Sequence, residues 1–406
     1  MGSKPSSTAK VSPLSPSEKR GAQNINPEKQ WINPQYHDDK RTKIKRPHEI
    51  ENEMCNPSVM IAREVMNRVH GSMIGMALGD TLGASVEFRP RKYLLKNPVT
   101  DLQSGGTWGL QKGQFTDDTS MALCLASSLV TKSSFVAYDQ LVRYKLWYRH
   151  GYMSSTGECF DIGKATRNAL EEFERRQQKF AKEHNISLDE IDHIDDPRLL
   201  KNFNTNCGGK QEAGNGALMR LAPVPLFFHR DPEKAVHYSG ESCGTTHGHE
   251  KAYDACRYYG ALIVAALHGE SKEALMSPEF YDKHRHWFGK KPLHDDVEAV
   301  AKGSYRKKEG YDDGIRGKGY IVTTLEAALW AFWADENSFE KGALLAVNLG
   351  DDTDTTATIY GQLAGAFYGY NALPKKWIHQ IYARRFIEYL SKWIVYEGDS
   401  FSKSKS

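Results

Sequence analysis

Two short stretches of this chain gather oxygen ligands of the kind that hold a hard cation. Between Gly350 and Thr356, inside the run Asn348 to Ala357, lie three aspartates and three threonines; a second stretch reads Thr116, Asp117, Asp118, Thr119. Neither contains Cys or His, so the donor set suits Mg²⁺ or Mn²⁺ before zinc. Each opens an apolar run, Ser120 to Val130 and Ala357 to Tyr370, that reads as a buried helix. Carboxylates at a helix N-terminus gain roughly 0.3–1 kcal/mol per charge from the dipole and can cap free N–H groups. That gain does not offset the crowding of three anions unless a cation joins them. The plain alternative is an elaborate helix cap. Facing each other across a core, the two clusters could hold two ions, as in two-metal hydrolases.

The elements that would have to bring them together are helical. Gly71, Gly75, Gly79 and Gly83 recur every fourth residue through an apolar segment that begins near Val59, and Gly361, Gly365 and Gly369 repeat the spacing behind the second cluster. A glycine inside a helix costs about 0.5–1 kcal/mol relative to alanine. Two such rows therefore predict two helices that cross with their backbones in contact, bringing Asp80 and Glu87 near the second cluster. Helical periodicity continues through Tyr138–Arg149, Ile162–Lys182, Lys234–Cys243, Glu250–His268, Tyr320–Trp333, Phe339–Asn348 and Lys375–Tyr396. No alternating strand pair or βαβ unit interrupts it. The expectation is an all-α, single-domain helical bundle over residues 58–396. Polar excursions are expected at about 172–210 and 270–313, with a polar tail at 397–406.

Residues 1–57 read as a flexible polar and basic extension. Within it, Gly2 fits the myristoylation template. The run Lys40 to Arg46 could bind anionic lipid or an import receptor, or be a solvated linker. With 406 residues, 39% hydrophobic and 11% aromatic, the chain can bury a sizeable core. Its 54 basic and 51 acidic residues give a net charge of +3, so no global field argues for nucleic acid. Six cysteines without CxxC spacing read as free thiols in a reducing compartment. No apolar run reaches a membrane span, and the N-terminus lacks the core of a signal peptide. The expectation is a cytoplasmic protein, with nuclear or membrane attachment possible only through the extension, and a monomer in preference to an oligomer.

Several segments together resemble the ADP-ribosylglycohydrolase family: Gly75 to Phe88, Phe115 to Thr119, Phe160 to Gly163, Gly214 to Pro223, Thr245 to Gly248, Gly317 to Trp330 and Asn348 to Thr356. Within it they are most similar to the dinitrogenase reductase-activating glycohydrolase branch. The resemblance implies an all-α fold, a binuclear Mg²⁺ centre for which Mn²⁺ can substitute, and hydrolysis of the N-glycosidic bond joining ADP-ribose to a protein side chain, arginine first. The partners implied are an ADP-ribosylated protein and the ADP-ribose product. Alternatives are another ADP-ribose linkage (serine, poly(ADP-ribose), nucleic acid, a small molecule) or a non-catalytic binding protein. Carried over by motif, Thr116, Asp117, Asp118, Asp352, Asp354 and Thr355 would be metal ligands. Glu87 and Asp161 would divide the acid/base and acceptor-orienting roles, in an order the sequence leaves open. On their own, Glu87 could pair with Arg89 or Arg91, and Asp161 could cap a helix. Gly214, Asn215 and Gly216 would cradle the diphosphate, His247 would contact substrate, and Gly319 and Tyr320 would wall the nucleoside side. Where much of the family has a second glycine, this chain has Asp351, a carboxylate the resemblance does not explain.

Overall fold

In the computed structural model, which describes residues 27–59 and 61–404, the periodic segments become ten helices of nine or more residues. They are α1 (Arg63–Gly83), α2 (Asp117–Lys132), α3 (Ala137–His150), α4 (Lys164–His184), α5 (Pro232–Gly244), α6 (Glu250–Leu267), α7 (Ile321–Ala334), α8 (Phe339–Val347), α9 (Thr353–Tyr368) and α10 (Arg384–Lys403). Among the described residues the only β pairing is in isolated bridges. One continuous hydrophobic core joins the helices, so the chain is all-α and a single domain.

The axis of the fold is the crossing of α1 and α9. A Cβ added to Gly71 would lie 2.1 Å from the Gly365 carbonyl, one on Gly75 2.5 Å from Gly361 O, and one on Gly79 2.1 Å from Ala357 O. The contact is therefore backbone on backbone along three turns. Gly83 extends it to the acidic end: its Cβ would meet Asp354 Cα at 2.3 Å. Ser72 Oγ donates to Gln362 O (2.8 Å) and Thr353 Oγ1 to Gly83 O (2.9 Å), which fixes the register.

The structure corrects several boundaries. α9 begins at Thr353, four residues before the expected start, so Asp354 and Thr355 lie inside its first turn. The expected last helix divides into Lys375–Ile378 and α10, separated by Ala383 at φ 51°. α10 continues through the expected tail to Lys403, and Glu397 and Gly398 are buried. The flexible extension does not hold for its described part. Pro27–Ile32 and Pro47–Ile50 form 3₁₀ turns with Trp31, Ile32, Ile44 and Ile50 in the core. In the basic run, Lys45 pairs with Glu53 at 3.1 Å. Gly2 lies outside the described residues. The polar excursions are packed rather than detached: Phe173, Phe180 and Phe203 are buried in the first, and Phe280, Phe288, Val297 and Tyr305 in the second. Of the histidines in the second, His284 Nε2 meets Glu270 at 2.8 Å. No helix among the described residues is long and apolar enough to cross a membrane.

Candidate functional site

Both acidic clusters sit in first turns, and α1 supplies the link between them. Thr116 is the N-cap of α2, its side chain accepting from Asp118 N. Asp80, on α1, takes further free donors: Oδ1 accepts from Thr116 N at 2.9 Å, and Oδ2 from Thr119 N at 3.0 Å and Thr119 Oγ1 at 2.6 Å. A carboxylate from another helix thus shares the capping with Thr116, and Asp117 and Asp118 are both buried. α9 arrives alongside. Thr116 Oγ1 lies 3.4 Å from Asp354 Oδ2, and Thr355 Oγ1 donates to Asp118 Oδ1 at 3.3 Å. The two clusters, separated by 237 positions in sequence at that bond, are one buried site.

Glu87 and Asp161 come to the same point. Glu87, Asp161 and Asp354 each place a carboxylate oxygen within 4.8 Å of the others. Neither plain alternative from sequence is realised: Glu87 accepts from Trp108 Nε1 at 3.0 Å, while Arg91 donates to Asn348 O and Arg89 lies over the Tyr93 ring. The N-cap of α4 is Gly163, with Asp161 before it in a left-handed conformation, φ 59°. Asp351 is also left-handed, φ 63°. Its N–H donates to Arg89 O and its carbonyl accepts from Phe88 N, both at 2.8 Å. This extra aspartate is a backbone clamp between the α9 turn and the segment after Glu87.

Across the site, the Gly214–Gly216 turn is zipped to Gly319 and Tyr320. Asn215 N donates to Gly319 O at 3.1 Å, and Gly214 forms an antiparallel bridge with Tyr320. Asn215 Nδ2 reaches Asp352 Oδ2 at 2.7 Å, tying this loop to the acidic turn. His247 lies beneath the glycines: a Cβ at Gly214 or Gly216 would meet its ring at 3.2 or 3.0 Å. Behind it, buried Arg220 donates to Thr246 Oγ1 (2.7 Å) and Gly216 O (2.8 Å). Tyr320 stands at the rim, part exposed, its hydroxyl 3.5 Å from Asp296. All fourteen residues expected from sequence thus belong to one neighbourhood. Three further residues complete it: Asp80, Trp108 and Arg220. Arg220 lies between Gly214 and Pro223 and Asp80 sits within the glycine row between Gly79 and Gly83, so both have a signal in the sequence, but nothing in the spacing marks Trp108.

A model of the ADP-ribosylglycohydrolase family matches residues 62–401. The chain belongs to that family. It is 35% identical over 345 residues to the ADP-ribosylarginine hydrolase Tri1 of Serratia proteamaculans, covering 84% of this chain and 82% of the relative. It is 25% identical to the ADP-ribosyl-[dinitrogen reductase] glycohydrolase of Rhodospirillum rubrum, covering 79% and 92%. The arginine hydrolase is thus the more similar of the two. A solved ADP-ribosylglycohydrolase-related protein complex superposes with TM-score 0.65 at 35% identity, covering 83% of this chain and all of that one. The protein is accordingly an ADP-ribosylglycohydrolase, an enzyme that hydrolyses ADP-ribosyl bonds.

The acidic residues of the glycohydrolase site are crowded and buried. Burial, then the neighbouring charges of Asp161, Asp118 and others, pushes Asp117 well above the usual carboxylate range; burial with Asp80 and Asp352 does the same to Asp118, and burial with Glu87 and Asp118 to Asp354. Burial also raises Asp352, against the hydrogen bond from Asn215. Asp118 Oδ2 and Asp354 Oδ1 are fully buried and without a hydrogen-bond partner. Orphaned buried acceptors need a physical reason, and a divalent cation coordinated by oxygens supplies one. The Glu87–Asp161 pair shares a hydrogen bond. Burial, then Asp161 and Asp352, pushes Glu87 up to about 9, while Asp161, raised chiefly by burial, reaches about 7. His247 goes the other way, held at about 3 by burial and by the charge of Arg220, and is a neutral imidazole across the physiological range.

Proposed function

We propose that this enzyme removes ADP-ribose from arginine side chains of modified proteins, using two divalent cations, Mg²⁺ foremost, with Mn²⁺ able to replace it. The observation that carries the metal reading is the pair of orphaned carboxylate oxygens, Asp118 Oδ2 and Asp354 Oδ1, where the two helix N-termini meet. Thr116, Asp117, Asp118, Asp352, Asp354 and Thr355 would hold the ions, an all-oxygen set that suits magnesium. When bound, such a centre fixes substrate hydroxyls and provides a nucleophile at neutral pH. The arginine acceptor is supported by the name and 35% identity of the Serratia relative.

The chain's own groups supply the rest. Burial of Asp117, Asp118 and Asp354 keeps bulk water from competing for them. Glu87 and Asp161, both raised in proton affinity by burial and by each other, form an acid/base pair that can take a proton from water attacking the anomeric carbon while the guanidine leaves. The Gly214–Gly216 turn offers backbone N–H groups to the diphosphate, and neutral His247 offers a hydrogen bond without a charge. Tyr320 would stack on the nucleoside end. The test is release of free ADP-ribose from an ADP-ribosylarginine protein in the presence of Mg²⁺. Activity is expected to fall at least about a hundredfold in Asp117→Ala and in Asp354→Ala, in line with the several kcal/mol such centres contribute. Turnover retained in both variants, or unaffected by chelator, would overturn the metal assignment.

A further inference from the structure

The segment after Glu87 exposes aromatic and aliphatic side chains among its basic ones. Seven large hydrophobic side chains are exposed among the described residues, and four of them, Phe88, Tyr93, Leu95 and Trp108, fall between residues 88 and 108. Phe88 is 60% exposed and Trp108 40%. Phe88 is held there at a conformational cost, and Trp108 by a pinned loop. Phe88 has φ 65°, a region bulky residues avoid, and its backbone is fixed by the bond to Asp351 O at 2.8 Å. Trp108 rides a loop whose ends are pinned: Gly105 and Leu110 exchange backbone hydrogen bonds at 2.8 and 2.9 Å. Left-handed Gly106 and Gly113 press so closely on Ala84 O and Gln380 O that a Cβ would come to 2.4 and 1.7 Å. A strained, exposed Phe88 and a fixed, half-exposed Trp108 beside the carboxyl pair are candidates for contact with substrate.

Charge and shape say what that is. The indole N–H of Trp108 is spent on Glu87 at 3.0 Å, and Phe160, next to Asp161, packs against the indole with ring centroids 5.8 Å apart. The result is an aromatic surface edged by a pair of carboxyl groups. A planar cation fits it: the guanidinium stacks on a ring while its N–H groups meet carboxyl oxygens. Resting on the arginine reading of the same site, we propose that Trp108 and Phe160 form the platform for the guanidinium of the modified arginine, and that Phe88 contacts the polypeptide flanking it. Trp108 is then both a specificity determinant and a positioning residue for Glu87.

The experiment compares ADP-ribosyl-agmatine, which has a guanidinium but no polypeptide, with an ADP-ribosylarginine protein, and measures inhibition by free ADP-ribose, which lacks the acceptor. Trp108→Leu should raise KM for both substrates about tenfold, the range of one cation–π contact, with the inhibition constant of ADP-ribose unchanged. Trp108→Phe keeps a face but loses the N–H, so it should recover most of KM while shifting the pH–rate profile set by Glu87. Phe88→Ser should raise KM for the protein alone. Wild-type KM values retained in Trp108→Leu and Phe88→Ser, or an equal weakening of ADP-ribose, would overturn the platform while leaving the arginine reading intact. A wild-type enzyme that cleaves neither arginyl substrate but does cleave another ADP-ribosyl linkage would overturn both.

Discussion

Asp118 Oδ2 and Asp354 Oδ1 bear on stability as well as on the proposed metal site. With their partners they belong to a set of buried carboxylates whose affinity for protons is raised on folding: Asp117, Asp118 and Asp354 strongly, Asp80 to about 6, Asp161 to about 7 and Glu87 to about 9. In the unfolded chain these groups titrate near about 4. Between about pH 4 and 9 the folded protein therefore binds more protons than the unfolded one, and stability falls as pH rises when no cation is supplied. A divalent cation replaces those protons, so its effect must grow in the same direction. Thermal denaturation in chelator should show a midpoint that drops from pH 5 to pH 9, and Mg²⁺ should raise it more at pH 9 than at pH 5. Asp118→Asn, which removes one crowded charge, should flatten the pH dependence in chelator and shrink the Mg²⁺ response. A Mg²⁺ shift as large at pH 5 as at pH 9 would contradict the exchange of protons for metal. At this scale the acidic clusters are legible in the sequence, because Thr and Asp in tight clusters are conspicuous. Trp108 is not, since an indole that donates to a carboxylate from a distant loop leaves no pattern in its own neighbourhood.

Among the elements, the crossing of α1 and α9 is legible because glycines at intervals of four are costly in a helix unless a second backbone lies against them. The start of α9 is not, because Thr and Asp rank low in intrinsic helix propensity and look like a loop until the side chains find partners. Thr356 Oγ1 folds back on Asp352 O at 2.7 Å and Thr353 Oγ1 reaches Gly83 O at 2.9 Å, so side-chain bonds draw the helix toward its N-terminus. The same crossing positions the chemistry: Gly79 packs on Ala357, and Asp80 next to it caps α2. Gly79→Ala should then do two things. Its methyl would sit 2.1 Å from the Ala357 carbonyl, with backbone on both sides and nothing flexible to yield. The cost should be about 1–3 kcal/mol or more, and kcat should fall because α1 and α9 must separate between Asp80 and Asp354. Gly163→Ala, where an added Cβ meets nothing within 4 Å, is the control and should cost less than about 1 kcal/mol. Urea denaturation with parallel assays of ADP-ribose release distinguishes the two; equal stability of both variants would mean that the helices tolerate separation.

The whole molecule is larger than its family match, and the added part is built in. Residues from Pro27 to Ile50 read as an extension in the sequence because their apolar residues are isolated, without the periodicity that announces a helix. Tertiary seats hold them instead: Trp31 packs edge-on to Phe386 with centroids 5.3 Å apart, and the Tyr382 hydroxyl lies 2.6 Å from His48 Nδ1. The decisive contact is polar. Lys29 Nζ reaches Glu397 Oε1 at 2.8 Å, Val130 O at 3.1 Å and Ser133 Oγ at 3.2 Å, with both charged side chains only 8% exposed. It thereby fastens the N-terminal segment to the C-terminal ends of α2 and α10 at once. Lys29 at the end of α2 also meets a carbonyl and the negative pole of the helix dipole, where a cation is favoured. Removing one partner of a buried pair strands the other charge, at about 3–5 kcal/mol, whereas replacing both with apolar groups of similar volume is often nearly neutral. Glu397→Ala should therefore lower the denaturation midpoint markedly and render the segment before residue 58 open to protease. Lys29→Met combined with Glu397→Leu should restore most of both. The site itself lies elsewhere, so ADP-ribose release per folded molecule should stay the same in all three proteins. If the double variant is as unstable as Glu397→Ala, the anchor is the hydrogen-bonded lysine with its α2 carbonyl, and the ion pair is secondary to it.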